Sequence, residues 1–287
     1  MDKIGSSGGR VAPNAPGGAY RDHIINEGEK PAMSKQSSLI WIGGLLIFII
    51  SACGGPSEPQ VITGTGDITS TVEQYRALLG GVDNGGDPGT KGPDGYREIN
   101  WDSLPDELSA PNLYVSDFFN AAEAPRARGI VLNTPGTGLM VSADGDNPTG
   151  TLPRFGNINP QYVDIFKTFS EERLFSPIGS NLVVITFFVP GTNTSATIRG
   201  FGAVYTDVDT AHTAFEYFDI NGNTLGSFET PIADNGLSFL GVVFDEAIVA
   251  RVEVKYGTGA LGPDDGAGGV DVAVMDNFIF AEPQAIE

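Results

Sequence analysis

Residues 250–256, Ala-Arg-Val-Glu-Val-Lys-Tyr, alternate apolar and charged side chains without a break, a period of two that no helix can satisfy. Ala250, Val252, Val254 and Tyr256 face one way, and Arg251, Glu253 and Lys255 face the other. The pattern recurs along the chain. Ile99 and Trp101 alternate with Glu98, Asn100 and Asp102, and residues 129–133, 138–142, 182–189, 197–206, 213–219, 224–230, 237–244, 248–256 and 270–280 all read as extended, divided by turn residues at short intervals. Both faces of 237–244 are apolar, which predicts a central strand covered on both sides. Asn221-Gly222 predicts a type I′ hairpin turn. One short helix precedes the strands, with Ser70 and Glu73 as a capping box, Val72, Tyr75, Leu78 and Leu79 on one face, and Gly80-Gly81 as its stop. Many short strands without intervening helices predict an all-β chain, an antiparallel β-sandwich of jelly-roll or Greek-key type with a short N-terminal helix.

Residues 33–52 read as a lipoprotein signal peptide. Lys35 supplies the positive region, Leu39–Ile50 is uncharged, and Ile50-Ser51-Ala52-Cys53 has the shape of a lipobox. Its dozen residues are too few to span a bilayer comfortably and fit a processed signal. An uncleaved anchor with Cys53 as an incidental thiol is the alternative. Cys53 is the only cysteine, and lipidation there would leave the mature chain without disulfide, thiol nucleophile or cysteine metal ligand. Residues 1–32 are polar and stand ahead of the signal. Met33 is therefore expected to be the true start, and Glu27-Gly28-Glu29 can be encoded by a ribosome-binding sequence just upstream. Residues 53–70 read as a flexible tether, 71–283 as the sandwich, with an irregular N-terminal subdomain at 71–160 as the alternative division, and 284–287 as a tail. The expected location is the cell envelope, held by the N-terminal lipid. Gly54 stands where an aspartate would favour inner-membrane retention, so the outer membrane is expected if the source is Gram-negative.

The whole chain carries a net charge of −20. Five of its 16 basic and four of its 36 acidic residues precede Cys53, leaving 11 against 32 in the mature part. Such a surface repels nucleic acid and anionic lipid and suits cations or a basic partner.

The segments 97–102 (REINWD), 154–160 (RFGNINP), 200–209 (GFGAVYTDVD) and 275–279 (MDNFI) resemble those of an uncharacterised secreted bacterial domain, found in exported proteins that carry a PEP-type C-terminal sorting tail. The resemblance covers about two-thirds of the chain. It implies a β-sandwich and no established activity. This chain stops at Glu287 without a sorting helix, and the lipid is expected to replace that tail as anchor.

Histidine is nearly absent. His23 precedes the signal and only His212 remains, so a His-rich zinc site is excluded and a Ser-His-Asp triad would have to use His212, which has no nucleophile motif near it. No catalytic residue is assigned, and an enzyme is the less favoured reading. Calcium is the better-motivated ligand. Asp276 is in phase with Val270, Val272, Val274, Phe278 and Phe280, so a regular strand would bury its carboxylate, which must then find a cation, an arginine or several backbone N–H groups. Asp207 and Asp209 close a strand in phase with Phe201, Ala203 and Tyr205, and Asp264, Asp265 and Asp271 flank a glycine-rich loop. A structural Ca2+ is expected at Asp207, Asp209 and Asp276, with Asp264, Asp265 and Asp271 as a further set. Residues 219–223 resemble the opening of an EF-hand, but Thr224 and Thr230 stand where its glycine and glutamate belong, so a hairpin turn is expected; residues 83–87 and 144–147 are also read as turns.

Sugar binding would want exposed aromatic faces. Trp101 shares the phase of Ile99 and is expected in the core, while Tyr96, Tyr114 and Tyr162 sit in loop-like contexts as candidate contacts. The sequence thus points to a lipid-anchored envelope protein displaying a calcium-stabilised β-sandwich that binds an extracellular glycan or another envelope protein. The competing classes are a structural or adhesion module without a small ligand, and an extracellular carbohydrate-active enzyme.

Overall fold

The computed structural model of the chain describes residues 57–263 and 265–286. The signal peptide, Cys53 and Asp264 lie outside them. Fourteen strands and two helices follow in order: β1 (Gln60–Thr65), α1 (Thr69–Leu78), β2 (Tyr96–Ile99), β3 (Ile130–Asn133), β4 (Gly138–Val141), α2 (Tyr162–Ile165), β5 (Phe175–Ile178), β6 (Leu182–Phe187), β7 (Ala196–Thr197), β8 (Gly200–Val208), β9 (Ala214–Phe218), β10 (Thr224–Glu229), β11 (Ala233–Val243), β12 (Arg251–Lys255), β13 (Val274–Ala281) and β14 (Gln284–Ala285).

One sheet runs β1-β11-β8-β13-β5-β4, with β2 also paired to β13, and the second runs β10-β9-β12-β6-β3. Every pair of strands within them is antiparallel. Consecutive strands cross between the sheets. β8 and β9 lie in opposite sheets, as do β10 and β11, while β8 pairs with β11 and β9 with β10. That double ribbon is therefore folded over the sandwich from its turn at 219–222. β5-β6 against β12-β13 repeats the arrangement, which is the winding of a jelly roll.

The core between the sheets is aromatic. Phe201 meets Phe215 at 5.2 Å between ring centroids, Tyr205 meets Tyr256 at 5.8 Å, and Phe187 meets Phe280 at 5.8 Å, each pair joining one sheet to the other. A second apolar cluster, with Phe155, Tyr162, Phe166, Leu174 and Val272, seats the 155–166 segment. Helix α1 covers part of the outer face of the first sheet. There Gly202 pairs with Gly241, and a side chain on either would meet the Tyr75 ring, a Cβ at Gly241 standing 2.5 Å from it. Two facing glycines thus make the seat for one buried ring. The described residues fall in one compact unit, in which β2, β3 and β4 pair into the two main sheets rather than forming a sheet of their own.

The alternation at 250–256 is realised, with Val252 and Val254 fully buried between exposed or half-buried neighbours. Residues 238–244 are buried on both faces, as the apolar run requires. Elsewhere the structure differs from expectation. Part of the stretch read as a tether is strand β1, pairing from Gln60 with Val243 to Thr65 with Ser238 along the open edge of β11. Ser70 does not cap α1. The helix starts at Thr69, and the Asp67 carboxylate accepts the Thr69 N–H at 3.2 Å. The 219–222 turn is not type I′, because only Gly222 has a positive φ (80°), while Asp219 accepts the N–H groups of Asn221 and Asn223 at 2.8 and 2.9 Å. Trp101 is in the core but not on a strand: β2 ends at Ile99, and Trp101 takes φ 68° to lay its ring parallel to Phe175 at 4.5 Å.

Candidate functional site

Acidic side chains gather in two places, at the finish of β8 and in a cleft beside β13 where β2 ends and β5 begins. The first is built by a break in strand geometry. Asp207 has φ 65°, and opposite it β11 bulges between Ala233 and Leu237. Such a bulge re-aims side chains out of the ladder. Its Asn235 N–H donates to Asp207 Oδ1 at 2.7 Å, and Asp234 comes to face the end of β8. The loop before β13 closes the group from the other side. Asp271 accepts the Thr210 N–H at 3.0 Å and the Thr210 hydroxyl at 2.5 Å, and Asp265 accepts the Val272 N–H at 3.2 Å with its carboxyl beside that of Asp207.

One carboxylate oxygen from each of Asp207, Asp209 and Asp234 lies within 4.8 Å of the others. Burial pushes the Asp207 carboxyl up to about 7 against the pull of the Asn235 N–H, and the charges of Asp265 and Asp209 add to the rise. Burial likewise raises Asp209 to about 6, reinforced by Asp271, Asp234 and Asp265. Donors of this kind, all oxygen and all anionic, suit a hard divalent cation.

Four of the expected residues, Asp207, Asp209, Asp265 and Asp271, are thus brought together. Asp276 is not among them. It is fully buried, but its carboxylate accepts the Phe169 N–H at 2.6 Å, the Ser170 N–H at 3.3 Å and the Ser170 hydroxyl at 2.9 Å, so backbone and serine donors take the place expected of a cation. Asp264 lies outside the described residues. Asp234 was not expected, because its strand reads convincingly only from Leu237 onward; the Asp234-Asn235-Gly236 run, rich in residues that tolerate positive φ, was the signal that a bulge lay there.

The second group lines an open cleft. Asp102, Asp144, Asp146, Glu171, Glu172 and Arg173 surround a cavity of about 490 Å3, which continues past Asp102 and Glu171 toward Asn100 and Ser170. Arg173, only 3% exposed, fixes its floor. The guanidinium donates to the Leu104 carbonyl, Asp106 and Asp144, and the Arg173 N–H donates to Asp102 Oδ1 at 3.2 Å. Glu172 accepts the Gly145 N–H. Burial raises the Asp102 carboxyl above its usual range despite these donors. It also raises Asp276, which lies behind Ser170, to about 7, with the Asp102 charge adding to the rise.

The candidate aromatic contacts do not form a platform. Tyr114 and Tyr162 are buried, Tyr96 is half-buried, and no aromatic among the described residues is exposed. His212 is exposed on a turn.

No protein-family model and no curated protein matches the chain. Among solved structures, it is similar to a family 6 carbohydrate-binding module, at 14% identity and TM-score 0.26, over 54% of this chain and 95% of that one. It is also similar to the enzymatically active domain of bacteriophage CBA120 tailspike protein 4, at 12% identity and TM-score 0.27, over 62% of this chain but 22% of that one. Similarities this slight bring neither ligand nor activity to this chain.

Proposed function

We propose that this is an exported binding module of the cell envelope, anchored through a lipid on Cys53, whose β-sandwich holds an extracellular glycan in the cleft at Asp102, Asp144, Glu171 and Glu172. The observation that supports it is the cleft itself: open, about 490 Å3 in volume, and walled by acceptors of which the nearly buried Arg173 keeps Asp102 and Asp144 in place. Sugar hydroxyls are donors, and pairs of them suit carboxylate oxygens fixed in this way. With no exposed aromatic among the described residues, recognition rests on hydrogen bonds rather than ring stacking.

The test is a glycan screen with the protein, followed by titration of any binder against Glu171→Gln, which removes an acceptor from the cleft without removing volume. Affinity should fall by about ten- to a hundredfold, the loss of one charge-assisted hydrogen bond of roughly 1.5–3 kcal/mol. Anchoring is tested separately, by incorporation of labelled fatty acid into the wild type and its loss in Cys53→Ala.

A second reading, glycoside hydrolysis, is favoured by one specific observation. Asp102 is a half-buried carboxyl held toward its protonated form and stands in the same cleft as Glu171, as a general acid beside a second carboxylate should. Release of reducing sugar from a bound glycan, abolished in Asp102→Asn, would distinguish the enzyme from the binder.

A further inference from the structure

We propose that Asp207, Asp209 and Asp234 form a calcium-type divalent-cation site, distinct from the cleft, which clamps the bulge of β11 to the end of β8 and to the loop before β13.

Geometry comes first. Calcium takes six to eight oxygens in a flexible arrangement, whereas magnesium demands a near-ideal octahedron and keeps several of its waters. One oxygen from each of the three carboxylates lies within 4.8 Å of the other two, close enough to gather around one cation. The second observation is independent of the count of carboxylates. Asp207 is 1% exposed, yet no N–H or hydroxyl among the described residues donates to its Oδ2, the nearest side-chain neighbour of its carboxyl being the carboxyl of Asp265, and Oδ1 of Asp209 is also buried without a donor.

An anionic oxygen removed from water without a donor is costly, and here no lysine or arginine supplies one. The ion pairs among the described residues involve none of these three aspartates. Asp276 is the contrast within the same molecule: equally buried, it has a donor on each carboxylate oxygen and needs no cation.

The surroundings of the site fit the same assignment. Asp265 stands next to Asp207, and Asp271 holds the Thr210 N–H and hydroxyl, so two further carboxylates meet the first three. The donors contain neither nitrogen nor sulfur, which excludes the preferences of zinc and copper and leaves a hard cation. Asp234 reaches the group from an exposed position on the bulge, so the cation would be loaded from solvent through that side.

The experiment uses the full chain purified in mild detergent, stripped with chelator and reloaded with calcium chloride alone. Bound metal is measured by elemental mass spectrometry and stability by thermal unfolding. The expected result is one calcium per chain and a saturable rise in Tm that magnesium at equal concentration does not match. Asp234→Asn, an exposed and isosteric change, should lose both the bound metal and the rise while keeping its Tm in chelator. Glu123→Gln, an exposed acid elsewhere, should keep both. Equal Tm in calcium and chelator with no metal retained overturns the site. Retention of the metal by both Asp234→Asn and Asp207→Asn overturns its location, and an equal response to magnesium overturns the calcium assignment.

Discussion

Arg97 and Glu282 form an ion pair with no solvent exposure on either side chain, Nε to Oε2 and Nη2 to Oε1 each at 2.8 Å. The remaining donors of the guanidinium go to backbone carbonyls: Gly85, Asp87 and Gly89 at 3.0 Å and Ala127 at 2.7 Å. Glu282 in turn accepts Asn84 Nδ2 at 3.0 Å and the Lys91 N–H at 2.9 Å. One buried pair therefore ties the irregular 84–91 segment to the chain just beyond β13. Glu282→Ala should cost about 3–5 kcal/mol in urea unfolding, since it strands a charge in the interior. Replacing both partners by apolar residues should recover little of that, because four carbonyls lose their donor.

Gly241→Ala should destabilise by roughly 1–3 kcal/mol, because the added methyl meets the Tyr75 ring and the close backbone of the paired strand leaves it nowhere to go. The readout is thermal unfolding. Combining it with Tyr75→Leu should give less than the sum of the two losses, since the smaller side chain vacates the space that the methyl needs.

Trp101→Ala should cost about 3–5 kcal/mol, the range for deleting a large buried aromatic. Trp101→Phe should be milder but not neutral. It keeps a ring for Phe175 and removes the indole N–H that donates to the Asp276 carbonyl at 2.7 Å, a loss of about 1 kcal/mol. Denaturant titration separates the two.

Asp276 makes a prediction about pH. Its carboxyl is raised to about 7 in the folded protein, chiefly by burial, against about 3.9 in an unfolded chain. The folded state holds the proton more tightly, so the contribution of this group is fully present below about pH 4 and is lost as pH rises through about 7. Asp276→Asn cannot ionise, and its amide can still accept from the Phe169 N–H and donate to the Ser170 hydroxyl. In chelator, the Tm of the variant should therefore gain on the wild type between pH 5 and 8. A variant that falls more steeply than the wild type over that range would refute the assignment.

The architecture was legible wherever burial on one face writes itself as period two. Strand β12 is the clearest case, and β11 declared its two-sided burial in the run 237–244. Strand β1 was missed because glycine and threonine around Val61 and Ile62 give little apolar contrast, and it is held at the sheet edge by backbone pairing that leaves no trace in side-chain pattern. Strand β5 contains Pro177, which argues against a central strand, and it pairs with β13 through a single register position. The burial of Asp276 followed from phase alone. Its partners did not, since Phe169 and Ser170 reach it from over a hundred residues away. The cleft was invisible for the same reason: it is assembled from 102, 144–146 and 171–173, and what unites these residues is the reach of Arg173 rather than any spacing in the chain.

The pairing of Gln60 with Val243 fixes a direction as well as an edge. Were Cys53 to carry the proposed lipid, the few residues between it and Gln60 would span at most roughly 25 Å, and the end of the sandwich carrying Val243 would lie close to the bilayer. β11 runs from there to Asp234, about 30 Å further out. The aspartate rim at that far end would then look away from the membrane, with its negative charge held clear of anionic headgroups and turned toward whatever the envelope presents.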